Sequence, residues 1–413
     1  METANDGGRL RRSPGNTMNV SRPEHDVLFA IARRELAPHA NETICRLVKS
    51  GLDWDYLLAT ARQHGLIPLL QRNANKAAAD LLPGHVKTKL KQESVANAQS
   101  VLYLASQAVK VAKLFEENGI SVAIFKGPIL SKLAYGETSL RQAGDIDVLI
   151  SREQFVRVKE LMQSLGFQMY PQLTPAQEAS HLAFHCEIQF MRDDWFTVVD
   201  LHWGLTPKSF VFGMTGEEIM SRLQTVSLGG AQLKTFALED LLLYQAMHGA
   251  KHLWRKLEWI ASLAELVGTI ETAAWKVVIE RTLKARATRI LALGLRLTER
   301  LFQIEVPREV LSAIDDDNEM KVYAEKVCDQ LFIGGSGLTE STESNIHNFK
   351  IMDRKRDALL STSRALFVPT LSDWQALTLP ASLHSLYYAV RPFRLSKVYS
   401  TALARRLMHK PVS

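Results

Sequence analysis

Cysteine is scarce in this chain: 413 residues carry three, Cys45, Cys186 and Cys328, far apart and odd in number. They offer neither zinc-ligand spacing nor a disulfide framework, which favours a reducing, cytoplasmic setting. Long apolar runs are missing as well. No stretch of about 18 apolar residues occurs, so no membrane-spanning helix is expected. The first nineteen residues are polar and Arg-containing, without the apolar segment of a secretory leader. No HExxH metalloprotease signature and no internal repeat is present. Aromatic residues make up 8% of the chain and do not interleave with basic clusters, which weakens a nucleic-acid-binding reading. Acidic residues are slightly outnumbered, giving a net charge of +6, and the imbalance is local. From Lys350 onward eleven Lys/Arg face three Asp. Such an end suits a solvated surface, phosphates or peripheral contact with an acidic membrane.

What is present is enough apolar material, 46% of residues, to bury a sizeable core in two or three modules. Residues 1–23, rich in Gly, Asn, Ser and Arg, read as a disordered tail. Helical periodicity covers 24–119. Trp54, Leu57, Leu58 and Ala61 make one stripe, and His64 before Gly65 reads as a helix-end or core residue. The segment His85–Asn118 reads as a single helix closed by Gly119. A mixed core spans 120–237 and a helical domain 238–333. In the latter, Glu239-Asp240 opens a long helix expected to run through Trp259. Gly334-Gly335-Ser336-Gly337 and the Thr/Ser/Asn-rich stretch to 349 read as a linker or loop. A basic segment, 350–413, mixes helix with extended chain punctuated by Pro369, Pro380 and Pro392.

The most informative stretch is Ser121–Ile150, SVAIFKGPILSKLAYGETSLRQAGDIDVLI. A β-type run, Val122 to Phe125, breaks at Lys126-Gly127-Pro128. A short helix runs to Tyr135, and a polar loop leads to Asp145-Ile146-Asp147 entering Val148-Leu149-Ile150. Side chains alternate along a strand, so Asp145 and Asp147 share one face. Two adjacent carboxylates repel unless a cation lies between them, and hard oxygen ligands suit Mg²⁺. Asp53-Trp54-Asp55 and Asp315-Asp316-Asp317 repeat the spacing in helix-flanking surroundings, where capping explains them. Context separates the first pair from the other two.

Further along, His185, Glu187 and Gln189 alternate with Cys186, Ile188 and Phe190. A turn at Arg192-Asp193-Asp194 and a returning strand, Phe196–Trp203, follow. On that strand Phe196, Val198, Asp200 and His202 share a face. Asp200 lies within an apolar run where an unpaired carboxylate is costly to bury. His185 and Glu187 read as an exposed strand face. A further hairpin is expected around Gly229-Gly230.

This order of parts resembles the nucleotidyltransferase fold of the polymerase-β superfamily. It is most similar to a poorly characterised bacterial branch in which Lys-Gly replaces the usual Gly-Ser or Gly-Gly. The phrases FKGPIL, RQAGDIDVLI, VVDLHWGL, EDLLLYQAMHGAKHLWRKLEWI and LFVPTLSDW…LP…RPFR carry the likeness, in order, from about Trp54 to Tyr399. The resemblance implies an α+β fold, a nucleotidyltransferase-like mixed sheet with flanking helices plus N- and C-terminal helical regions. It also implies Mg²⁺-dependent transfer of NMP, ATP being the default donor, to a small-molecule, peptide or protein hydroxyl in a bacterial biosynthetic pathway.

In that chemistry two metal ions stabilise the attacking and leaving oxygens, which takes about three carboxylates. Asp145 and Asp147 are assigned to metals and triphosphate. Asp200 is assigned to the catalytic metal and the acceptor hydroxyl. Lys126 and Gly127 either form an anion site at a helix N-terminus or make a simple tight turn. Arg141 either contacts phosphate or pairs with Asp145. His248, Lys251 and His252 share a helix face and either meet nucleotide in the cleft or line the core. His202 either supports the metals or packs beside Trp203. Two features depart from the resemblance: the missing Gly-Ser hydroxyl, and Ser262 where relatives often carry Asp. These leave a catalytically weak nucleotide-binding or scaffold protein as the competing expectation.

Overall fold

The computed structural model describes residues 22–192, 197–315, 318–332 and 340–408. The expected tail up to residue 21, the turn at Asp193-Asp194, Phe196, Asp316-Asp317 and the glycine-rich run Gly334–Gly337 lie outside the described residues.

Five helices come first: α1 (Pro23–Ile31), α2 (Ala40–Lys49), α3 (Trp54–Gln63), α4 (Ile67–Ala78) and the 34-residue α5 (Gly84–Glu117). Asp53 caps α3 by accepting from the Tyr56 amide, which explains its Asp-x-Asp without a site. The mixed region follows as β1 (Val122–Ile124), α6 (Gly127–Tyr135), β2 (Ile146–Ile150), α7 (Phe155–Ser164), β3 (Phe167–Tyr170) and α8 (Pro175–Phe184). It continues with β4 (Glu187–Arg192), β5 (Val198–His202), α9 (Gly216–Met220), β6 (Gln224–Leu228) and β7 (Ala231–Thr235). Strands pair in the order β1-β2-β5-β4-β3, and only β2 and β5 are parallel. Strands β6 and β7 form the expected hairpin, turning at Gly229-Gly230, both left-handed.

The sheet's two faces do different work. Ile146, Val148, Val199, Leu201, Ile188 and Phe190 point to one side and pack against Leu104, Ala108 and Phe115 of α5 and Val158 of α7. Each such side chain contributes about 1.5–3 kcal/mol through burial, enough to fix which face is which. The opposite face carries Asp147, Asp200 and His202 alongside Ala123, Phe125 and Leu149, and it looks toward the following helices.

Those helices are α10 (Leu238–Lys251), α11 (Leu257–Thr269), α12 (Trp275–Ala285), α13 (Thr288–Phe302), α14 (Arg308–Ile314) and α15 (Glu319–Gln330). The single helix expected from Glu239 through Trp259 is two. Leu253 and Trp254 adopt left-handed backbone, φ 59° and 53°, and the fully buried Trp254 indole folds back on the end of α10. A Cβ on Gly249 would lie 2.3 Å from that ring, so glycine is required there by close approach.

The chain ends with α16 (Glu340–Ile351), α17 (Lys355–Phe367), α18 (Leu371–Ala376) and α19 (Tyr387–Met408). Two expectations fail here. The polar run 340–348 is helical and not a loop, because Tyr323 Oη bonds buried His347 Nδ1 at 2.8 Å and Ile351 is fully buried. Tertiary contact overrides composition. Pro392, expected in extended chain, lies inside α19, where Arg391 and Arg394 hold buried Asp373 of α18 at 2.6 and 2.5 Å. Among the described residues, no helix is long and apolar enough to cross a membrane.

Candidate active site

Parallel pairing of β2 with β5 sets Asp147 directly beside Asp200, and Asp145 lies two residues earlier on the approach to β2. The three carboxylates that the sequence separates are thereby gathered at two adjoining interior strands of the sheet. Asp147 is 1% exposed. Its Oδ1 accepts from Lys126 Nζ at 2.5 Å and lies 3.2 Å from His202 Nε2. Among the described residues its Oδ2 has no hydrogen-bond partner, and neither has Asp200 Oδ1, although both atoms are buried. One donor atom each from Asp147, Asp200 and His202 falls within 4.8 Å of the others.

Charge explains what this arrangement requires. Burial, then the nearby Asp145 and Asp147 charges, push Asp200 up to about 6. Burial and Asp147 likewise raise Asp145. For Asp147, burial alone would act upward, but Lys126 and His202 outweigh it and hold the carboxyl well below its ordinary range. Two buried carboxylate oxygens without hydrogen-bond partners, on residues paired across adjoining strands, are costly, on the order of 1–3 kcal/mol each or more. A divalent cation between them removes the cost. The hard oxygen set fits Mg²⁺, and the residues present fit a metal site.

Lys126 and Gly127 sit at the start of α6, next to these acids. Gly127 is buried with φ +52°, and a Cβ there would come 3.3 Å from the Asp145 carbonyl oxygen. The glycine therefore lets the α6 turn lie against the Asp145 backbone. Pro128 has no N–H, and Ile129 donates to the Lys126 carbonyl at 3.2 Å. This first turn offers an anion fewer amides than an ordinary helix N-terminus. Positive charge comes from Lys126 itself, kept protonated because Asp147 outweighs the effect of burial.

Arg141 finds Glu258 of α11, and not Asp145, as its partner in a buried ion pair. Gly65 makes room for that glutamate: a Cβ on it would lie 2.9 Å from Glu258 Oε2. Beside the pair, Tyr135 Oη and Ser262 Oγ are 3.3 Å apart. At the end of α10, His248 and the following His252 lie tilted to each other and meet Trp259 edge-on or tilted, with ring centroids 4.7, 5.2 and 5.4 Å apart. Lys251 lies nearby, and its charge reaches Glu187 and Cys186.

Glu187, read from the sequence as part of an exposed strand face, is partly exposed, and that face is the one that carries the site. Glu187 pairs across β4–β5 with His202, and its Oε2 lies 3.1 Å from His202 Nδ1. Burial would raise Glu187, but His202, Lys251 and Lys126 together bring it down to about 2. His185, expected on the same exposed face, turns instead to the Pro369 carbonyl at 3.3 Å and stacks on His181. His202 contacts Asp147 rather than merely packing by Trp203.

Comparison with known proteins adds the following. None of the curated proteins matches the chain. Among solved structures, it is similar to the antibiotic-resistance factor ANT(2'')-Ia, with 11% identity and a TM-score of 0.29, over 44% of this chain and 89% of that one. It is also similar to an antigenic nucleotidyltransferase-like protein from Paracoccidioides brasiliensis, with 12% identity and a TM-score of 0.29, over 52% and 96%. The sequence profile of the family described as uncharacterised nucleotidyltransferase matches residues 50–303, more than half of the chain and all of the site just built. This chain belongs to that nucleotidyltransferase family.

Proposed function

We propose that the protein is a Mg²⁺-dependent enzyme moving NMP from an NTP, ATP by default, to a hydroxyl of a small molecule, peptide or protein, with release of pyrophosphate. The observation carrying this reading is the pair of buried, unpartnered oxygens, Asp147 Oδ2 and Asp200 Oδ1, on adjoining strands. When bound, the two divalent ions supply charge neutralisation at the phosphoryl oxygens and activation of the acceptor. The chain's own part is positioning. Asp145, Asp147 and Asp200 hold the ions, and Asp200 orients the acceptor hydroxyl and takes its proton. Lys126 and Lys251 bring positive charge toward the triphosphate, and Arg141 adds a third cation behind Asp145. Gly127 admits the nucleotide close to the backbone. His248 and His252, with Trp259, form an aromatic wall for the base.

A second reading, a nucleotide-binding protein of weak activity, is favoured by the amide-poor start of α6 and by Ser262 being engaged with Tyr135. One experiment separates the two. Calorimetry measures ATP binding with and without Mg²⁺, and α-labelled ATP then reports label transfer to candidate acceptors or to the protein itself. Divalent-dependent binding with label transfer that Asp147→Asn and Asp200→Asn abolish supports the enzyme. Binding without transfer supports the second reading, and no ATP binding with or without Mg²⁺ overturns both.

A further inference from the structure

Asp147, His202 and Glu187 form a line of contacts across three neighbouring strands. Asp147 Oδ1 is held from two directions, by Lys126 Nζ at 2.5 Å and by His202 Nε2 at 3.2 Å. A carboxylate anchored through one oxygen cannot rotate freely, which leaves Oδ2 as the oxygen with no hydrogen-bond partner among the described residues. The imidazole doing the anchoring is itself fixed. His202 is 1% exposed, Phe125 meets its ring edge-on at 5.1 Å, and Glu187 Oε2 stands 3.1 Å from its other nitrogen. The strand registers enforce this line: β5 seats His202 opposite Glu187 of β4 on one side and opposite Leu149, two residues beyond Asp147, on the other.

We infer that Glu187 is a positioning residue: through His202 it sets the orientation in which Asp147 presents a single oxygen to the metal. This rests on the metal reading proposed above. The physical logic is that of a metal-site histidine braced by an outer carboxylate, except that the imidazole grips a ligand instead of the ion. With Glu187 gone, the ring can tilt and the carboxylate it steers loses its aim. Glu187 carries out this role at a partly exposed site, its side chain 41% accessible, so its replacement need not disturb the core. A different reading must be separated from this one, because Cys186, Glu187 and His202 also bring one donor atom each within 4.8 Å and would make a thiol-containing site of their own.

The test is Mn²⁺ binding to the full chain without nucleotide, followed by the electron paramagnetic resonance of the free ion, with thermal unfolding as a check on folding. Glu187→Ala is expected to weaken Mn²⁺ about tenfold to a hundredfold, the usual cost of removing such a support. Glu187→Gln, which keeps the side chain's length and an oxygen beside the ring, is expected to stay within about threefold of the parent. Cys186→Ser is expected to bind as the parent does. Parent-like affinity in Glu187→Ala, together with lost affinity in Asp147→Asn, overturns the positioning role alone. So does a Glu187→Gln loss as deep as that of alanine, or an equal loss in Cys186→Ser, since either makes Glu187 a ligand. Unchanged affinity in Asp147→Asn overturns the metal reading itself.

Discussion

Asp147 and Asp200 occupy the same rung of the parallel β2–β5 ladder, and each keeps one buried oxygen without a hydrogen-bond partner among the described residues. The pair is therefore a source of electrostatic cost in the metal-free protein. Asp200→Asn removes a charge that burial and two neighbouring acids disfavour. It is expected to abolish nucleotidyl transfer while raising the stability of the metal-free protein by about 1 kcal/mol, the trade familiar from sites built for chemistry. Urea unfolding in EDTA measures the second effect. A destabilised Asp200→Asn protein would contradict the electrostatic account.

The Arg141–Glu258 pair allows a similar separation. Both partners are buried, so removing one strands the other charge. Arg141→Met is expected to destabilise by about 3–5 kcal/mol, and Arg141→Met with Glu258→Gln to recover most of that loss. The double variant then isolates function. If Arg141 also meets the triphosphate, KM for the NTP rises about tenfold or more at restored stability, the worth of one charge-assisted contact. An unchanged KM makes the arginine purely structural.

How far the sequence led differs from place to place, and the reasons are physical. Period-2 alternation put Asp145 with Asp147, and Asp200 with His202, because each relation lies within one strand or its approach. The meeting of the two pairs needed the parallel β2–β5 register, which no local pattern encodes. That Glu187 shares the site's face is hidden for a related reason. A turn centred on Asp193 would set it opposite Val199, whereas the actual ladder sets it opposite His202. Register depends on loop length, and a shift of an odd number of residues exchanges the faces. The break after α10 was hidden because Gly249 and Trp254 act through a contact and not through a helix-stop signal.

That contact is itself open to test. In Gly249→Ala the new methyl would meet the buried Trp254 ring at 2.3 Å, with the indole walled on its other side by Gly294 of α13. Overpacking of this kind costs about 1–3 kcal/mol or more. The variant is expected to unfold at lower urea concentration, and trimming the ring in Gly249→Ala with Trp254→Leu is expected to give less than the additive loss. Strict additivity of the two substitutions would show that they do not act through one contact.

The final prediction concerns acid. His64 is 1% exposed, and its Nδ1 accepts the Leu257 amide at the start of α11 at 3.1 Å, so the folded protein holds this ring neutral. Burial, helped by the charges of His25 and Lys256, lowers its proton affinity to about 4. The unfolded chain returns it to about 6.5. A folded value below the unfolded one means the unfolded state binds the proton first. The stabilisation is therefore complete above about pH 6.5 and is lost as pH falls from there toward 4. Over that window the loss attributable to His64 is on the order of 3 kcal/mol. His64→Gln keeps an acceptor for Leu257 but cannot titrate, so its unfolding free energy is expected to fall less steeply between pH 6.5 and 4 than the parent's. Parallel pH profiles for the two proteins would mean that the ring's hold on α11 is not what acid undoes.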